Sequence, residues 1–530
     1  MSSADASGAA TSSPNLTAEA TSGSTAARRR VQTDTLATSL VFLFGLSAVQ
    51  PVISFGRGIL FCRALSPDEL GAWDMALSFL MLTGTMIVIG IPGSFGRYVE
   101  HYTQRGQLAM FMRRTTLVCS ALTGIGLLVM LLAAPMFSNV IFGRPDRVTW
   151  VYYVALGLGS LIAWGFVVEL LTAMRLFRAV SGLQLLKAIL FVLLALVLLV
   201  FWEGGPASVI LGHAAASILA VGVSLYWLVP AWRNANEPWS QTEMDNDNAT
   251  SESSAWKFWA KLMPFAAWVW VANFFTHLFE MIDRYMLVHF SGMPSQEALT
   301  QVGHYHSSRI VPIFFVSFAS MLAAVLLPHM TKDWEQGKRG KVSEGVNLAV
   351  KLVGLALTAG GVVVLSIAPL LFNYGFGGQY GGGLAVLPFT LAYCVWFSLF
   401  CMGDIYLSCA ERVRLVSVSL FIGLAVNVIL NLLLLPSYGL FGAVWATAIS
   451  KFVVLVTTFL FARSLGMRIH QGTWFITLLP LAICLGTTAA LAVVLVTALA
   501  VVGTNAILSS AEKQQLLDLA KPHMNRLLSR

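Results

Sequence analysis

The sequence predicts an all-α polytopic membrane protein of about 12–14 transmembrane helices, arranged as two parallel six-helix bundles around a central cavity. Three observations carry this. The chain is 57% hydrophobic and only 11% charged, where a soluble domain carries about a quarter charged residues. Apolar runs recur from Leu36 to Gly503, many of them the ~20 residues that a helix needs to cross a bilayer. Polar and glycine landmarks repeat once along the chain at a nearly fixed offset. A transmembrane β-barrel is excluded, because it would show ~10-residue segments of alternating polarity.

Taken in order, residues 1–35 are expected to form a disordered cytoplasmic tail. Residues 1–27 are rich in Ala, Ser, Thr and Gly and cannot bury a core. No apolar h-region precedes Arg28, so a standard signal peptide is not indicated. Membrane helices are expected at about 36–61, 71–97, 115–135, 150–173, 183–202, 208–229, 261–290, 303–328, 345–370, 384–406, 413–435, 440–462 and 474–503. Residues 36–229 would form the first bundle and 261–462 the second. The polar segment 230–260 reads as a cytoplasmic linker. Residues 463–530 would add one further membrane helix and a basic tail, with 511–528 as a surface helix. Arg28, Arg29 and Arg30 hold the N-terminus inside. Arg105, Arg113, Arg114, Lys332, Lys338, Arg339 and Lys341 fall in connectors on that same side.

The net charge of +8 is therefore an orientation signal and gives no reason to expect nucleic acid as a partner. The six cysteines lie in or beside apolar segments without a CxxC pair and read as small core residues. The scattered histidines suit polar packing, and no metal site is expected. Gly375 to Gly383 is glycine-rich but lacks the Lys-Ser/Thr and the strand–helix context of a phosphate-binding loop.

The internal repeat sets the architecture. Gly71 is followed 232 residues later by Gly303, Pro92 by Pro328 after 236, Glu169 by Asp404 after 235, and Gly204 by Gly439 after 235. This offset spans six helices. An even number per repeat leaves the two halves in the same orientation, related by an axis along the membrane normal, as in transporters that bind cargo between halves.

Polar side chains sit on helix faces where the bilayer offers nothing to satisfy them. Gln50, Ser54 and Arg57 share a face of the first segment, and Asp74, Ser78 and Met81 share one of the second. Asn273, His277, Glu280 and Arg284 form a stripe with Asp283 beside it, and Arg309 follows in the next segment. An intramembrane charge is a functional-site candidate by default. Arg57, Arg284 and Arg309 are expected in the outer half of the membrane, against the positive-inside trend, and Arg97 near the inner end. Because the guanidinium fork suits phosphate, these four are the candidate anion-binding residues. Pairing of Glu280 with Arg284 at i, i+4 is the plainer alternative. Asp74, Glu280, Asp283, Glu169 and Asp404, with Gln50, Asn273 and His277, are candidate coupling or cavity residues, for a proton or sodium gradient and with no other cofactor.

Three stretches carry a resemblance: Arg63 to Trp73 (RALSPDELGAW) with Gly90-Ile91-Pro92 and Arg97-Tyr98; Asp283-Arg284 with Val302 to Tyr305; and Leu435 to Ser450. Over about 36–462 the chain resembles the Wzx-like oligosaccharide-lipid flippases of bacterial polysaccharide export. These belong to the multidrug/oligosaccharidyl-lipid/polysaccharide (MOP) superfamily, together with MATE transporters and lipid II flippases. The resemblance implies a multi-pass protein of the bacterial inner membrane that is not an enzyme. It implies passage of a polyprenyl-diphosphate-linked oligosaccharide from inner to outer leaflet by alternating access. The diphosphate would be held by cavity arginines and the tail left in the bilayer, with polysaccharide polymerase or export machinery as partners. The alternatives are an ion-coupled MATE-like exporter of small organic cations, a lipid II flippase and, last, a membrane glycosyltransferase or polymerase.

Overall fold

The computed structural model describes residues 36–203, 205–236 and 255–514. The expected N-terminal tail, Gly204, the middle of the linker and the end of the basic tail lie outside these. The described chain is helical throughout, and eleven of its helices are long and apolar enough to cross a membrane.

In the first half, α1 (Leu36–Ala64) turns through Leu65 and Ser66 into α2 (Pro67–Ile87). The turn is fixed by its sequence: Pro67 presets the first helical residue, and the Ser66 amide donates to the Glu69 carboxylate at 2.9 Å. The expected second segment does not run unbroken to residue 97. Ile89 (φ 46°) and Gly90 (φ 68°) leave the helical region, and Pro92 opens a new turn instead of closing the old one. That turn leads into α3 (Phe95–Gln104). Then follow α4 (Leu108–Leu132), α5 (Ala134–Phe142), α6 (Val148–Ala173), α7 (Phe177–Leu198) and α8 (Pro206–Asn236).

The second half retraces this plan with α9 (Ala255–Phe290), α10 (Ser295–Arg309), α11 (Ile313–Glu335), α12 (Arg339–Leu370), α13 (Gly381–Cys409), α14 (Val413–Tyr438) and α15 (Leu440–Ser464). The expected eighth segment is broken at Pro312, while the helix continues through Pro328. The halves match in detail. Arg175 (φ 61°), after α6, and Glu411 (φ 56°), after α13, are left-handed residues two positions before the next helix begins. A left-handed residue there satisfies the last helical carbonyls, normally with glycine. Two non-glycine residues bearing the same strain at corresponding places mark a repeated unit.

The last expected membrane segment is three pieces: α16 (Gln471–Leu478), α17 (Leu481–Cys484) and α18 (Thr487–Gly503). Pro480 and Gly486 (φ 96°) separate them. Beyond α18 the chain folds back so that Glu512 meets Lys351 of α12, with Nζ at 2.8 and 2.9 Å from its two carboxylate oxygens. Burial alone would raise the Glu512 pKa; the Lys351 and Ser509 hydrogen bonds outweigh it and hold the pKa below its ordinary value. The docking this supports is complete above the ordinary carboxyl value of about 4.3 and is lost as pH falls through the lowered folded value. Glu512→Gln should release this segment at neutral pH, read as faster tryptic cleavage after Lys513. Unchanged cleavage would show that the pair does not hold it.

Two ends of the molecule are distinguished by their turns. At the hairpin end, where α1 enters α2 and α9 enters α10, the two halves are in close contact. A Cβ at Gly71 would collide with the Leu299 carbonyl, and one at Gly303 with the Pro67 carbonyl. The two repeated glycines thus let α2 and α10 cross backbone to backbone. Around them Ser295 Oγ donates to the Gly143 carbonyl at 2.7 Å and His289 Nε2 lies 2.9 Å from the Val140 carbonyl. The Tyr380 hydroxyl and the Gln379 amide reach the Leu65 carbonyl at 2.9 and 3.0 Å. The glycine-rich loop therefore caps the end of α1 instead of a phosphate. At the opposite end, the Tyr98 hydroxyl donates to the Lys261 carbonyl at 3.0 Å, and Phe258, Leu262 and Ala266 of α9 pack into Phe95, Tyr102 and Phe111.

Candidate functional site

Between the halves lies a cavity of about 960 Å³ lined by α1, α2, α9, α10 and α11. It forms where the polar faces of these helices turn toward one another. The expected faces converge here. Gln50, Ser54 and Arg57 come from α1; Asp74, Ser78 and Met81 from α2; His277, Glu280 and Arg284 from α9; and Arg309 from α10. Three arginines thus face two carboxylates.

Their environments differ sharply. Arg284 is buried, with Nε 3.0 Å from Asp74 Oδ2, and it also donates to Ser78 Oγ. Asp74 is completed by His306 Nδ1 at 2.8 Å. The Arg284 partner is therefore Asp74 of the other half, not Glu280 one turn away on its own helix. Helix spacing allows the local pair; the α2–α9 packing makes the distant one shorter and drier. Arg309 lies over the Tyr305 ring at 5.7 Å and within the fields of Asp74 and Glu280. Arg57 lies over Phe191 at 4.9 Å, and among the described residues no carboxylate pairs with it.

Other expected site residues lie elsewhere. Glu169 and Asn273 line a second, smaller cavity of about 200 Å³, which shares Met81 and His277 with the first. Arg97 is exposed, 5.0 Å over the Phe265 ring; the break at Gly90 turns α3 away from the cavity face of α2, so it does not join the other arginines. Asp404 faces Ser408 of its own helix at 3.5 Å and does not line the central cavity either.

Asp283 is buried inside the second half. Asn427 and Asn431 of α14 donate to its Oδ1 at 2.7 and 2.8 Å. Thr447 of α15 donates to Oδ2, and the Tyr305 hydroxyl approaches the same oxygen at 3.4 Å. Asn431 Oδ1 is left without a hydrogen-bond partner. Beside this cluster, the Lys451 ammonium lies 3.7 Å over Phe279 and 4.0 Å over Phe397, in the fields of Glu280 and Asp283. Sequence reasoning missed Lys451, Asn427, Asn431 and Thr447. A lysine in the middle of the apolar run 440–462 was the available signal. All six cysteines are free thiols, and among the described residues no group of three His, Cys, Asp or Glu could hold a metal ion.

Known proteins share this architecture. Over 412 residues the chain is 23% identical to the lipid II flippase MurJ of Bacillus subtilis (strain 168), covering 71% of this chain and 73% of that one. A solved structure of lipid II flippase MurJ in an inward closed conformation superposes with a TM-score of 0.64 at 12% identity, over 87% of this chain and 98% of that one. An inward-facing MATE family multidrug resistance transporter of the MOP superfamily gives 0.60 at 13% identity, over 80% and 97%. These likenesses and the eleven apolar helices make the chain a multi-pass integral membrane protein with a flippase and transporter fold. Residues 36–334, more than half of the sequence, match the polysaccharide biosynthesis protein family, and the chain belongs to that family.

Proposed function

We propose that the protein flips a polyprenyl-diphosphate-linked oligosaccharide from the inner to the outer leaflet of the bacterial inner membrane, for cell-surface polysaccharide. The observation that carries this reading is the cavity between two repeated halves, with Arg57 facing it unpaired by any carboxylate among the described residues. A diphosphate offers that arginine what the fold does not. The basic connectors support a cytoplasmic side for the end opposite the hairpins, together with the N-terminus. The hairpin end then faces outward and is closed by the α2–α10 crossing. Opening that crossing while closing the other end is the alternating-access step. The tail would remain in lipid beside α1 and α11, which meet at Phe55 and Phe314, ring centroids 5.8 Å apart. The activity is transport, not catalysis; a polymerase or export complex would receive the product.

Asp283 supports coupling to a proton or sodium gradient. Its carboxylate accepts from two carboxamides and a hydroxyl, and the cluster joins α9, α14 and α15, so a change in its charge would act on all three helices. Export unaffected by collapse of both gradients would remove this role.

Deleting the gene should leave lipid-linked oligosaccharide on the inner leaflet and abolish the surface polymer. Normal surface polymer would sink the reading. Arg57→Ala should reproduce the deletion while the protein remains in the membrane at wild-type amounts. The likeness to MurJ favours a lipid II flippase as the second reading. The same lipid analysis separates them, because that reading predicts accumulation of lipid II instead.

A further inference from the structure

The C-terminal helices form a hairpin that stands against the second half. α16 and α17 run along α12: Thr473 Oγ1 donates to Asn347 Oδ1 at 2.6 Å, and a Cβ at Gly354 or Gly361 would meet Ile476 or Ile483. Gly486 (φ 96°) turns the chain, and α18 comes back toward the start of α12. There a Cβ at Gly472 would meet the Ile507 carbonyl, and Glu512 pairs with Lys351. Residues 507–513 therefore lie at the start of α12, which the basic connector with Lys332, Lys338, Arg339 and Lys341 leads into. The chain returns to the side of the basic connectors, which a single unbroken crossing over 474–503 would not allow.

The hairpin does not close completely on α12. Between them lies a crevice of about 370 Å³, lined by Leu355, Ala356 and Ala359 of α12 and by α18 from Val494 to Val502. It shares no residue with the central cavity. The hydroxyl of Thr497 donates to the Val493 carbonyl at 2.7 Å, so the lining side chains offer no free polar group. Ala356, Ala498 and Val502 are exposed, and the crevice opens sideways, where the bilayer lies. Along α18 it runs about 12 Å at the helical rise of about 1.5 Å per residue. That is most of the depth of about 15 Å that one leaflet gives the hydrocarbon core. Lys513 stands at the mouth. Its ammonium donates to the Val502 and Thr504 carbonyls at 3.2 and 2.6 Å, which leaves one of its three donors. The neighbouring acid, Glu512, is taken by Lys351, and among the described residues no carboxylate lies within ion-pair distance of Lys513. The sequence beyond adds Lys521, Arg526 and Arg530 against one acid, Asp518.

We infer that the crevice between α12 and α18 holds one acyl chain of an anionic phospholipid, drawn from the leaflet on the side of the basic connectors, with Lys513 on its phosphate. An apolar slot one leaflet deep, with a cation at its mouth, matches such a lipid in both shape and charge. Basic side chains at the membrane surface favour anionic lipid, whereas a zwitterionic headgroup would bring an ammonium of its own toward Lys513. A free anion leaves the apolar slot unfilled, and a polyprenyl chain is far longer than the slot. The occupant is therefore a lipid of the bilayer and not the cargo. Bound there, it fills the gap along which α18 and α12 do not meet, and so fixes the C-terminal hairpin to the second half.

The test uses the full-length protein, delipidated in detergent, and measures by native mass spectrometry its binding of dioleoyl phosphatidylglycerol, dioleoyl phosphatidylethanolamine and glycerol phosphate. Wild type should bind phosphatidylglycerol about fivefold tighter than phosphatidylethanolamine and should not retain glycerol phosphate. Lys513→Gln should bring the two lipids to within about twofold of each other, and Lys513→Arg should keep the preference, since it keeps the charge. Ala356→Phe and Ala498→Phe fill the slot from opposite walls. Each should weaken phosphatidylglycerol binding by at least about tenfold, through the apolar contact that the chain loses. Wild-type affinity in both phenylalanine variants would overturn the crevice as the site. An undiminished preference in Lys513→Gln would overturn the role of Lys513, and equal binding of both lipids by wild type would overturn the anionic assignment. Displacement of phosphatidylglycerol by undecaprenyl phosphate at a lower concentration would assign the slot to the cargo tail and overturn the inference. None of these results bears on the flippase reading, which lipid analysis of the deletion strain tests by itself.

Discussion

Gly303→Ala is expected to open the hairpin end of the molecule. The added methyl would meet the Pro67 carbonyl, a backbone atom at the start of α2, so no side chain can rotate out of its way. Overpacking of this kind costs about 1–3 kcal/mol, which changes the closed-to-open ratio by about 5- to 150-fold. Gly71→Ala meets the Leu299 carbonyl from the other half and should act in the same way. The check is cross-linking across the seam. Asp68 Oδ2 and Gln296 Nε2 are 3.5 Å apart, so cysteines at these two positions should cross-link readily in an otherwise unchanged chain. Adding Gly303→Ala should slow that reaction by at least about tenfold, in line with the cost above. Equal rates would mean that the crossing does not hold the halves together.

The second large effect is expected at Asp74. Its carboxylate is 2% exposed and faces the 7%-exposed Arg284 and the ring of His306. Asp74→Asn keeps the shape and removes the charge, leaving a buried guanidinium without its partner. Losing one member of a buried pair costs about 3–5 kcal/mol, which should appear as a clear fall in melting temperature in detergent. Asp74→Asn with Arg284→Gln should recover part of the loss, because the pair interacts directly and their effects are not additive. A double variant as unstable as the sum of the two single ones would show that the contact contributes nothing. The expected direction separates Arg284 from Arg57: Arg57→Ala should abolish export at little cost in stability, because among the described residues no carboxylate pairs with Arg57.

The repeat illustrates how far sequence reasoning reached. Gly71 and Gly303 were legible as matching landmarks, but their purpose was not. Spacing along a chain reports periodicity, and only the α2–α10 crossing shows that both glycines meet a backbone carbonyl of the opposite half. The charged stripes were legible for a related reason. A bilayer leaves few places for Arg57, Asp74, Glu280 or Arg284 to point, so helical periodicity alone directs them to a common cavity. Arg97 and the 474–503 segment were misjudged through local backbone. Ile89–Gly90, Pro480 and Gly486 break helices that hydropathy reads as continuous, because hydropathy averages over a window and does not register a single positive φ.

By itself, then, the sequence determined that the chain is a helical membrane protein built from a duplicated unit, with polar faces directed inward. Those features follow from composition and period, which act on each residue wherever its neighbours lie. Which charges neutralise one another was decided only by tertiary structure. Asp74 could have met any cation within reach; packing of α2 against α9 and α10 assigned it Arg284 and His306. Asp283 was withdrawn into a shell of amides and hydroxyls from α14 and α15. Arg57 was left over the ring of Phe191. Pairing energies depend on distance and dehydration between segments hundreds of residues apart, and those quantities exist only once the helices are packed.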